Sequence, residues 1–322
     1  MDIRVILNNG KNPKWKYYLK NIIVNAIPTF FFQHRLKHYL EIYKKRSDKD
    51  YILERVNYYN KLDKIIELSS SAPTIRENST KNGKVYYFDT KEITRYLKSS
   101  LRWFFCFGDV IHVPKNPSIV KSRPINGNNE NSIILKLDKV RHFIFLKDKI
   151  EFSKKQNKAI FRGKMVGKPH RIAFMEKYFG NPMFDLGDVS KNTPNPNWIV
   201  PKITLQDHLK YKFIMAIEGN DVASNLKWVM SSNSIAVMPK PTYETWFMEG
   251  KLIPNFHYIE IKADYSDIEE KLNYYIQREE ESLEIIKNAN AYCSQFFDSK
   301  REKLISILVM KKYFEKTKQS IL

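Results

Sequence analysis

The chain has 322 residues, of which 43% are hydrophobic and 14% aromatic, enough apolar material for two packed domains of about 150 residues each and too much for a disordered chain. Lys and Arg number 55 against 35 Asp and Glu, a formal charge of +20 that draws the molecule to polyanions. The two cysteines, Cys106 and Cys293, exclude a disulfide framework and a cysteine-built zinc site and fit a reducing compartment.

The first 50 residues carry 11 Lys and Arg against 4 Asp and Glu. Among them Trp15, Leu19, Ile22 and Ile23 recur at helical spacing between lysines, the pattern of an amphipathic basic helix. Such a helix packs on its own domain with a solvated lysine face, or rests on anionic lipid headgroups, and the two are compatible. The start MDIRVILNNG lacks the features of a secretory signal. The longest apolar stretch, Asn21 to Gln33, is broken by Asn25 and Pro28 and falls short of the ~20 residues that cross a bilayer. A cytoplasmic protein is expected.

A helix is expected from about Tyr51 to Leu68, followed by the polar break SSSAPTIRENSTKNGK. VYYFD and LRWFFCF read as short buried strands around a helix near Thr90–Leu97, and Pro114 to Asn131 as a loop. From about residue 155 the pattern becomes regular. KAIFRG, MFDLG, KYKFIMAIEG, SIAVM and FHYIEI read as strands. KPHRIAFMEKYFG, DVASNLKWVMSS (capped by Asn220 or Asp221), TYETWFMEG and a long run from YSDIEEKLNYYIQ read as helices. This alternation implies an α/β fold built on a parallel sheet with helices on both faces. A domain boundary is expected near 150–157.

The sharpest local signal is FRGKMVGKPHR, residues 161–171. A strand ends at Arg162, Gly163 allows a tight turn, and Lys164 and Lys168 stand where a helix opens at Pro169. Unpaired amide hydrogens and the positive end of a helix make such a turn an anion site, and Arg162 can add a bidentate grip on a phosphate. It is neither a Walker A loop nor a GxGxxG fingerprint. A second turn of the same kind follows in IEGNDVASNLKWVM, where Gly219 precedes a polar cap and a helix carrying Asn225 and Lys227. Ligands of open α/β sheets bind at the carboxyl ends of the strands, and two donor-rich turns there suit a diphosphate. Glu244 either accepts hydrogen bonds from ribose hydroxyls or stands as an exposed helix carboxylate, while Trp246 and Phe247 read as core.

The blocks FRGKMVGKPHRIAFMEKYFGNPMFDLGDV, LQDHLKYKFIMAIEGNDVASNLKWVMSSNSIAVMPKPTYETWFMEGKLIPNFHYIEI and DYSDIEEKL resemble glycosyltransferase family 90. That family comprises bacterial lipopolysaccharide core transferases, fungal capsule-associated transferases and eukaryotic protein O-glucosyltransferases, and the likeness is to the bacterial branch. It runs from about 105 to 275. The resemblance implies a GT-B-like architecture, two Rossmann-like domains facing a cleft, with helical amino- and carboxyl-terminal extensions. Residues 1–155 would form the acceptor-side domain with its basic helical start and 156–300 the nucleotide-sugar-binding domain. Residues 301–322 would form a helix packing back on the first domain.

It further implies an inverting, metal-independent transfer of a hexose or pentose from a UDP-sugar, with no cofactor beyond that donor. Its phosphate-contacting loop maps onto Arg162-Gly163-Lys164 and its second donor segment onto Ser224-Asn225-Leu226-Lys227. Eukaryotic members carry an arginine where this chain has Asn225, which leaves the diphosphate contact open between Asn225 and Lys227. The base of the eukaryotic relatives is the aspartate of an Asp-x-x-x-x-Pro motif, which maps onto Asp109 in FGDVIHVP. Asp188, Asp138 and His112 are the rival bases. Lys121 and Arg123 in VKSRPI either touch an anionic acceptor or a phosphate, or sit in a solvated loop.

The acceptor implied is a lipopolysaccharide core or related lipid-linked glycan, met at the inner membrane face by a peripheral enzyme on an anionic surface. The competing classes are a nucleic-acid-binding protein, suggested by charge alone, and a non-catalytic scaffold on the membrane. No nucleic-acid recognition motif is present, so no nucleic-acid partner is expected. No metal site is expected either. Asp48-Lys49-Asp50 does not follow a hydrophobic strand, and His34 and His38, though at i, i+4 spacing, lack the glutamate of HExxH. His257 reads as a satisfied core residue.

Overall fold

The computed structural model describes residues 13–321. Three helices open it: α1 (Lys14–Asn25), α2 (Phe30–Lys45) and α3 (Lys49–Tyr59), the last shorter than the expected Tyr51–Leu68. Turns and single 3-10 turns fill the polar break, and α4 (Lys84–Thr94) follows. The run VYYFD is therefore helical, not a strand. Its aromatic and β-branched residues favour strands locally, but Phe88, Thr90 and Ile93 are buried along the helix, and this packing overrides propensity.

Four short strands come next: β1 (Phe104–Cys106), β2 (Ser118–Val120), β3 (Ser122–Pro124) and β4 (Ser132–Ile134). β2 and β3 lie inside the stretch expected to be a loop. β1, β2 and β4 form a parallel sheet in the order β1-β2-β4. After the single-turn helix α5 (Lys139–His142) the regular pattern begins: β5 (Gln156–Gly163), α6 (Pro169–Tyr178), β6 (Phe184–Asp188), α7 (Leu205–His208), β7 (Tyr211–Met215), α8 (Leu226–Met230), β8 (Ile235–Pro239), β9 (Tyr243–Thr245) and β10 (Ile259–Ile261). Helices α9 (Ile268–Gln277), α10 (Glu279–Ser294) and α11 (Ser299–Lys316) close the chain. Helix α8 starts at Leu226, later than the expected cap at Asn220 or Asp221. TYETWF holds strand β9 in place of the expected helix, because β9 pairs antiparallel with β3.

The chain divides into two compact units. One comprises Pro13–Val140, Thr242–Gly250 and the chain from Phe296 onward, and the other Arg141–Pro241 and Lys251–Gln295. The opening segment of the first ends at Val140, ahead of the boundary read from the sequence pattern, and that unit also takes in β9 and α11, which packs on α3. Its centre is a buried polar and aromatic knot. Arg55 Nη1 meets Glu302 Oε1 at 2.5 Å, and Trp246 Nε1 donates to Glu302 Oε2 at 2.6 Å. The Tyr59 ring stacks on Trp246 with centroids 3.8 Å apart.

The second unit carries a five-stranded sheet in the order β10-β8-β7-β5-β6, every pair parallel. In chain order from its first strand this is 2-1-3-4-5, the flavodoxin-like doubly wound arrangement, whose strand order reverses between the first and third strands. Here those are β5 and β7. The strands read as near-continuous apolar runs because central parallel strands are covered on both faces, and Phe161, Phe213, Met215 and Val237 are all buried in one cluster with Phe174 of α6 and Leu272 of α9.

Candidate active site

At the reversal point of the second unit's sheet, the turns after β5 and β7 are tied together by one side chain, Arg171, in the first turn of α6. Its Nη1 donates to the Lys164 carbonyl at 3.2 Å, its Nε to the Glu218 carbonyl at 2.8 Å and its Nη2 to the Ile217 carbonyl at 2.7 Å. His170 Nε2 also meets the Glu218 carbonyl at 2.9 Å. The guanidinium lies over the Phe161 ring, 5.4 Å from its centroid. Burial pushes its pKa down to about 10, which leaves it charged at neutral pH.

Both turn glycines border this guanidinium. A Cβ on Gly163 would lie 2.7 Å from the Phe161 ring and 3.2 Å from Arg171 Nη1, so a side chain there would displace both. A Cβ on Gly219 would lie 3.4 Å from Arg171 Nη2 and 4.0 Å from Lys168 Cε. The two glycine turns therefore sit side by side, with the cations of Arg171 and Lys168 beside them and exposed Lys164 in the first turn. Pro169 occupies the first position of α6, where its missing N–H costs nothing. Strand ends, backbone donors and clustered cations on one sheet edge are the ingredients of a phosphate site. The sequence pattern contained Arg171 within the FRGKMVGKPHR block but did not single it out. The only signal for it was an arginine in the first turn of a helix that follows a glycine turn.

Arg162 is placed differently. It is engaged by Asp185: Nη2 meets Asp185 Oδ1 at 2.5 Å and Nη1 meets the Asp185 carbonyl at 2.7 Å. Tyr211 donates its hydroxyl to the other carboxylate oxygen. Burial works to raise the Asp185 pKa, but the bonds from Tyr211 and Arg162 outweigh it and hold the carboxyl below its ordinary value. In the second donor segment Ser224 is exposed, Asn225 Nδ2 caps the Met215 carbonyl at the end of β7 (2.9 Å), and Lys227 is fully buried.

Asp188, opposite Gly163 in the β5–β6 ladder, is fully buried. Its Oδ1 accepts from the Ser190 backbone (2.7 Å) and hydroxyl (2.5 Å), and its Oδ2 finds no partner among the described residues.

In the other unit, Asp109 follows β1 after Gly108, whose φ of +123° disfavours other residues. Lys121 Nζ donates to Asp109 Oδ1 at 2.5 Å, with the lysine side chain 1% and the aspartate side chain 25% exposed. The ammonium thus orients a carboxylate that keeps access to solvent. Of the rival bases, His112 is exposed and Asp138 is buried in a left-handed turn with φ +52°.

Arg123 and Glu244 face each other across the β3–β9 pair, with Nε to Oε1 at 2.7 Å, and both are buried. Arg123 also binds the Tyr58, Tyr59 and Ser132 carbonyls, and Tyr58 donates its hydroxyl to Glu244 Oε2. Glu244 is neither on a helix nor exposed: it closes an internal ion pair of the first unit. The segment of Lys121 and Arg123 is likewise buried strand, not solvated loop. Asp48, of the Asp-x-Asp triplet, pairs with Arg46 at 2.5 Å and Arg301 at 3.5 Å. His257 is buried and accepts from the Ile253 backbone at 2.9 Å.

The family model described as Glycosyl transferase family 90 matches residues 132–318, more than half of the chain and every strand of the five-stranded sheet, while Asp109, Lys121 and Arg123 lie ahead of it. The chain is a member of glycosyltransferase family 90. O-glucosyltransferase LpsA of Dichelobacter nodosus is 37% identical over 303 residues, covering 94% of this chain and 95% of that protein. Human protein O-glucosyltransferase 3 is 28% identical over 111 residues, 34% of this chain and 22% of its own length. Zebrafish (Danio rerio) protein O-glucosyltransferase 2 is 26% identical over 143 residues, 42% of this chain and 28% of its own. The similarity to the bacterial protein thus spans nearly the whole chain, whereas that to the animal proteins is confined to a part. This family 90 protein is accordingly a glycosyltransferase with a sugar donor and a glycan acceptor.

Proposed function

We propose that the chain transfers a hexose from a UDP-sugar to a hydroxyl of a lipopolysaccharide core or related lipid-linked glycan, working peripherally at the inner membrane face. The observation that carries the donor half is the Arg171 tie across the Gly163 and Gly219 turns at the reversal point of a parallel sheet. Arg171, Lys164 and Lys168, with backbone N–H groups of the two turns, offset the charge that builds on a departing diphosphate. These cations supply the stabilisation that a divalent ion supplies elsewhere, and the reading is of a metal-independent transfer. Glucose is the sugar favoured, since the relative spanning 94% of the chain is named an O-glucosyltransferase.

In an inverting transfer the acceptor oxygen attacks the anomeric carbon as the bond to UDP breaks, and its proton passes to a base. Asp109 is assigned that role. It is the partly exposed carboxylate among the rivals, and the Lys121 ammonium orients it. Asp188 is enclosed and its Oδ1 is taken up by Ser190, which fits a role in shaping the β6 turn.

The test is thermal unfolding with UDP, GDP and CMP, each with and without a chelator. UDP at about 100 times its dissociation constant adds about 2.7 kcal/mol to the folded state. UDP is expected to raise the midpoint by several degrees, chelator or not, and the other two less. Equal indifference to all three nucleotides would remove the nucleotide-sugar reading.

A further inference from the structure

We propose that helix α1, with the start of α2, is a membrane-docking element that lays an apolar stripe into the headgroup region of an anionic phospholipid bilayer. This rests on the proposed lipid-linked acceptor for its biological sense, but its geometry and its test stand apart from the donor site.

Helix α1 has no buried residue. At about 100° per residue, Trp15, Leu19, Ile22 and Ile23 fall within an arc of about 100°. Trp15 is 65% and Ile22 58% exposed, and Leu19 and Ile23 are exposed to a similar extent. Tyr17 lies on the opposite side of the helix, and it is Tyr17 that ties α1 to α4. Its hydroxyl donates to Asp89 Oδ1 at 2.8 Å and to the Val85 carbonyl at 3.3 Å, while Tyr18 sets its ring edge-on against Phe88. The protein thus holds α1 by its polar back and presents the apolar face outward.

The patch continues through Ile27 into Phe30 and Phe31, whose ring centroids are 3.9 Å apart and whose side chains are more than half exposed. Seven of the 18 large exposed hydrophobic residues among the described residues fall between Trp15 and Phe31, which makes this a concentration, not scatter.

The charge around the patch selects the occupant. Between residues 13 and 40 there are five basic residues and no acidic one. Lys14, Lys16 and Lys20 are exposed on α1, with Lys16 and Lys20 bordering the stripe, and Arg35 and Lys37 are exposed on α2. A short helix with a tryptophan in its apolar face and lysines along its edge is the pattern that lies in the plane of an anionic interface. No described helix is long and apolar enough to cross a membrane, and the 12 residues of α1 span far too little.

The experiment is co-flotation of the full chain with phosphatidylglycerol/phosphatidylethanolamine vesicles and with phosphatidylcholine vesicles. Binding is expected to the anionic vesicles only and to weaken with salt, each basic residue contributing roughly a fivefold factor. The W15S/L19S/I23S variant is expected to lose at least about tenfold in partitioning. The exposed control Leu283→Ser is expected to lose none. All three proteins should keep the same stabilisation by UDP, which separates failure of docking from failure of the donor reading. Absence of binding to anionic vesicles, or equal binding by the triple variant, overturns the proposal. So does light scattering that shows a dimer dispersed by the same substitutions without lipid binding, or lipid binding that appears only after residues 1–12 are deleted; these outcomes would assign the face to a second copy or to the chain's own start.

Discussion

Arg171→Ala is the substitution that separates the structural account of the donor site from the simpler one in which Arg162 grips the phosphate. Arg171 makes three bonds to the carbonyls of Lys164, Ile217 and Glu218 and lies beside both turn glycines. Removing it deletes a charge-assisted donor from the diphosphate cradle, worth about 1.5–3 kcal/mol, or roughly a 10- to 150-fold loss of UDP affinity. Water reaches the three abandoned carbonyls in part, so the ligand-free protein should lose only about 1–3 kcal/mol of stability and remain folded. Arg171→Lys keeps the charge but cannot span three carbonyls with a planar fork, and should recover only part of the affinity. Arg162→Ala severs the pair with Asp185 and should lower the midpoint of unfolding with a smaller loss of UDP affinity. Isothermal titration of UDP into the three variants, beside their unfolding curves without ligand, reads both quantities. An Arg171→Ala variant that binds UDP as the parent does, or an Arg162→Ala variant that loses more affinity than it, refutes the reasoning.

Asp109→Asn should lower turnover by two orders of magnitude or more, within the range general bases supply, and leave UDP affinity nearly unchanged; unaltered turnover would remove the residue from the chemistry. Glu244→Ala strands the Arg123 guanidinium in the interior and should cost about 3–5 kcal/mol in urea unfolding, with no specific effect on nucleotide binding in whatever fraction stays folded. Asp89 gives a pH test. Burial, against the opposing pull of Lys139 and of the Tyr17 bond, pushes its carboxyl up to about 6 from an ordinary 3.8. The folded state therefore binds the proton more tightly than the unfolded chain, and stability falls as pH rises from about 4 to 6, by on the order of 3 kcal/mol, then levels off. Asp89→Asn should erase that decline, so urea unfolding of parent and variant should differ between pH 4 and pH 7; a constant difference across that range would show that Asp89 does not titrate there.

The parts of the molecule that were legible in the sequence are those governed by one local rule. Alternating apolar runs and glycine-ended strands from about 155 onward placed β5, α6, β6, β7 and β8, because each central parallel strand needs a continuous apolar run and each strand-to-helix turn needs its glycine. The same regularity located the two turns that Arg171 joins. What the sequence hid is chosen by partners far away in the chain. Glu244 looked like a helix carboxylate because nothing near it announces Arg123, 121 residues earlier, as its opposite number across β3 and β9. VYYFD looked like a strand for a related reason, since helix α4 is settled by what Phe88 and Ile93 pack against.

Arginine shows the ambiguity in its plainest form. Arg162 and Arg171 stand nine residues apart in one block, each next to a turn, and the sequence favours the one adjoining the glycine. The fold instead gives Asp185 to Arg162 through the β5–β6 pairing, and gives the carbonyl ends of two turns to Arg171 because α6 begins beside them. A guanidinium occupied by a carboxylate is already neutralised, whereas one bonded to carbonyls keeps its net charge. Electrostatics therefore favours Arg171 over Arg162 as the cation that meets a diphosphate.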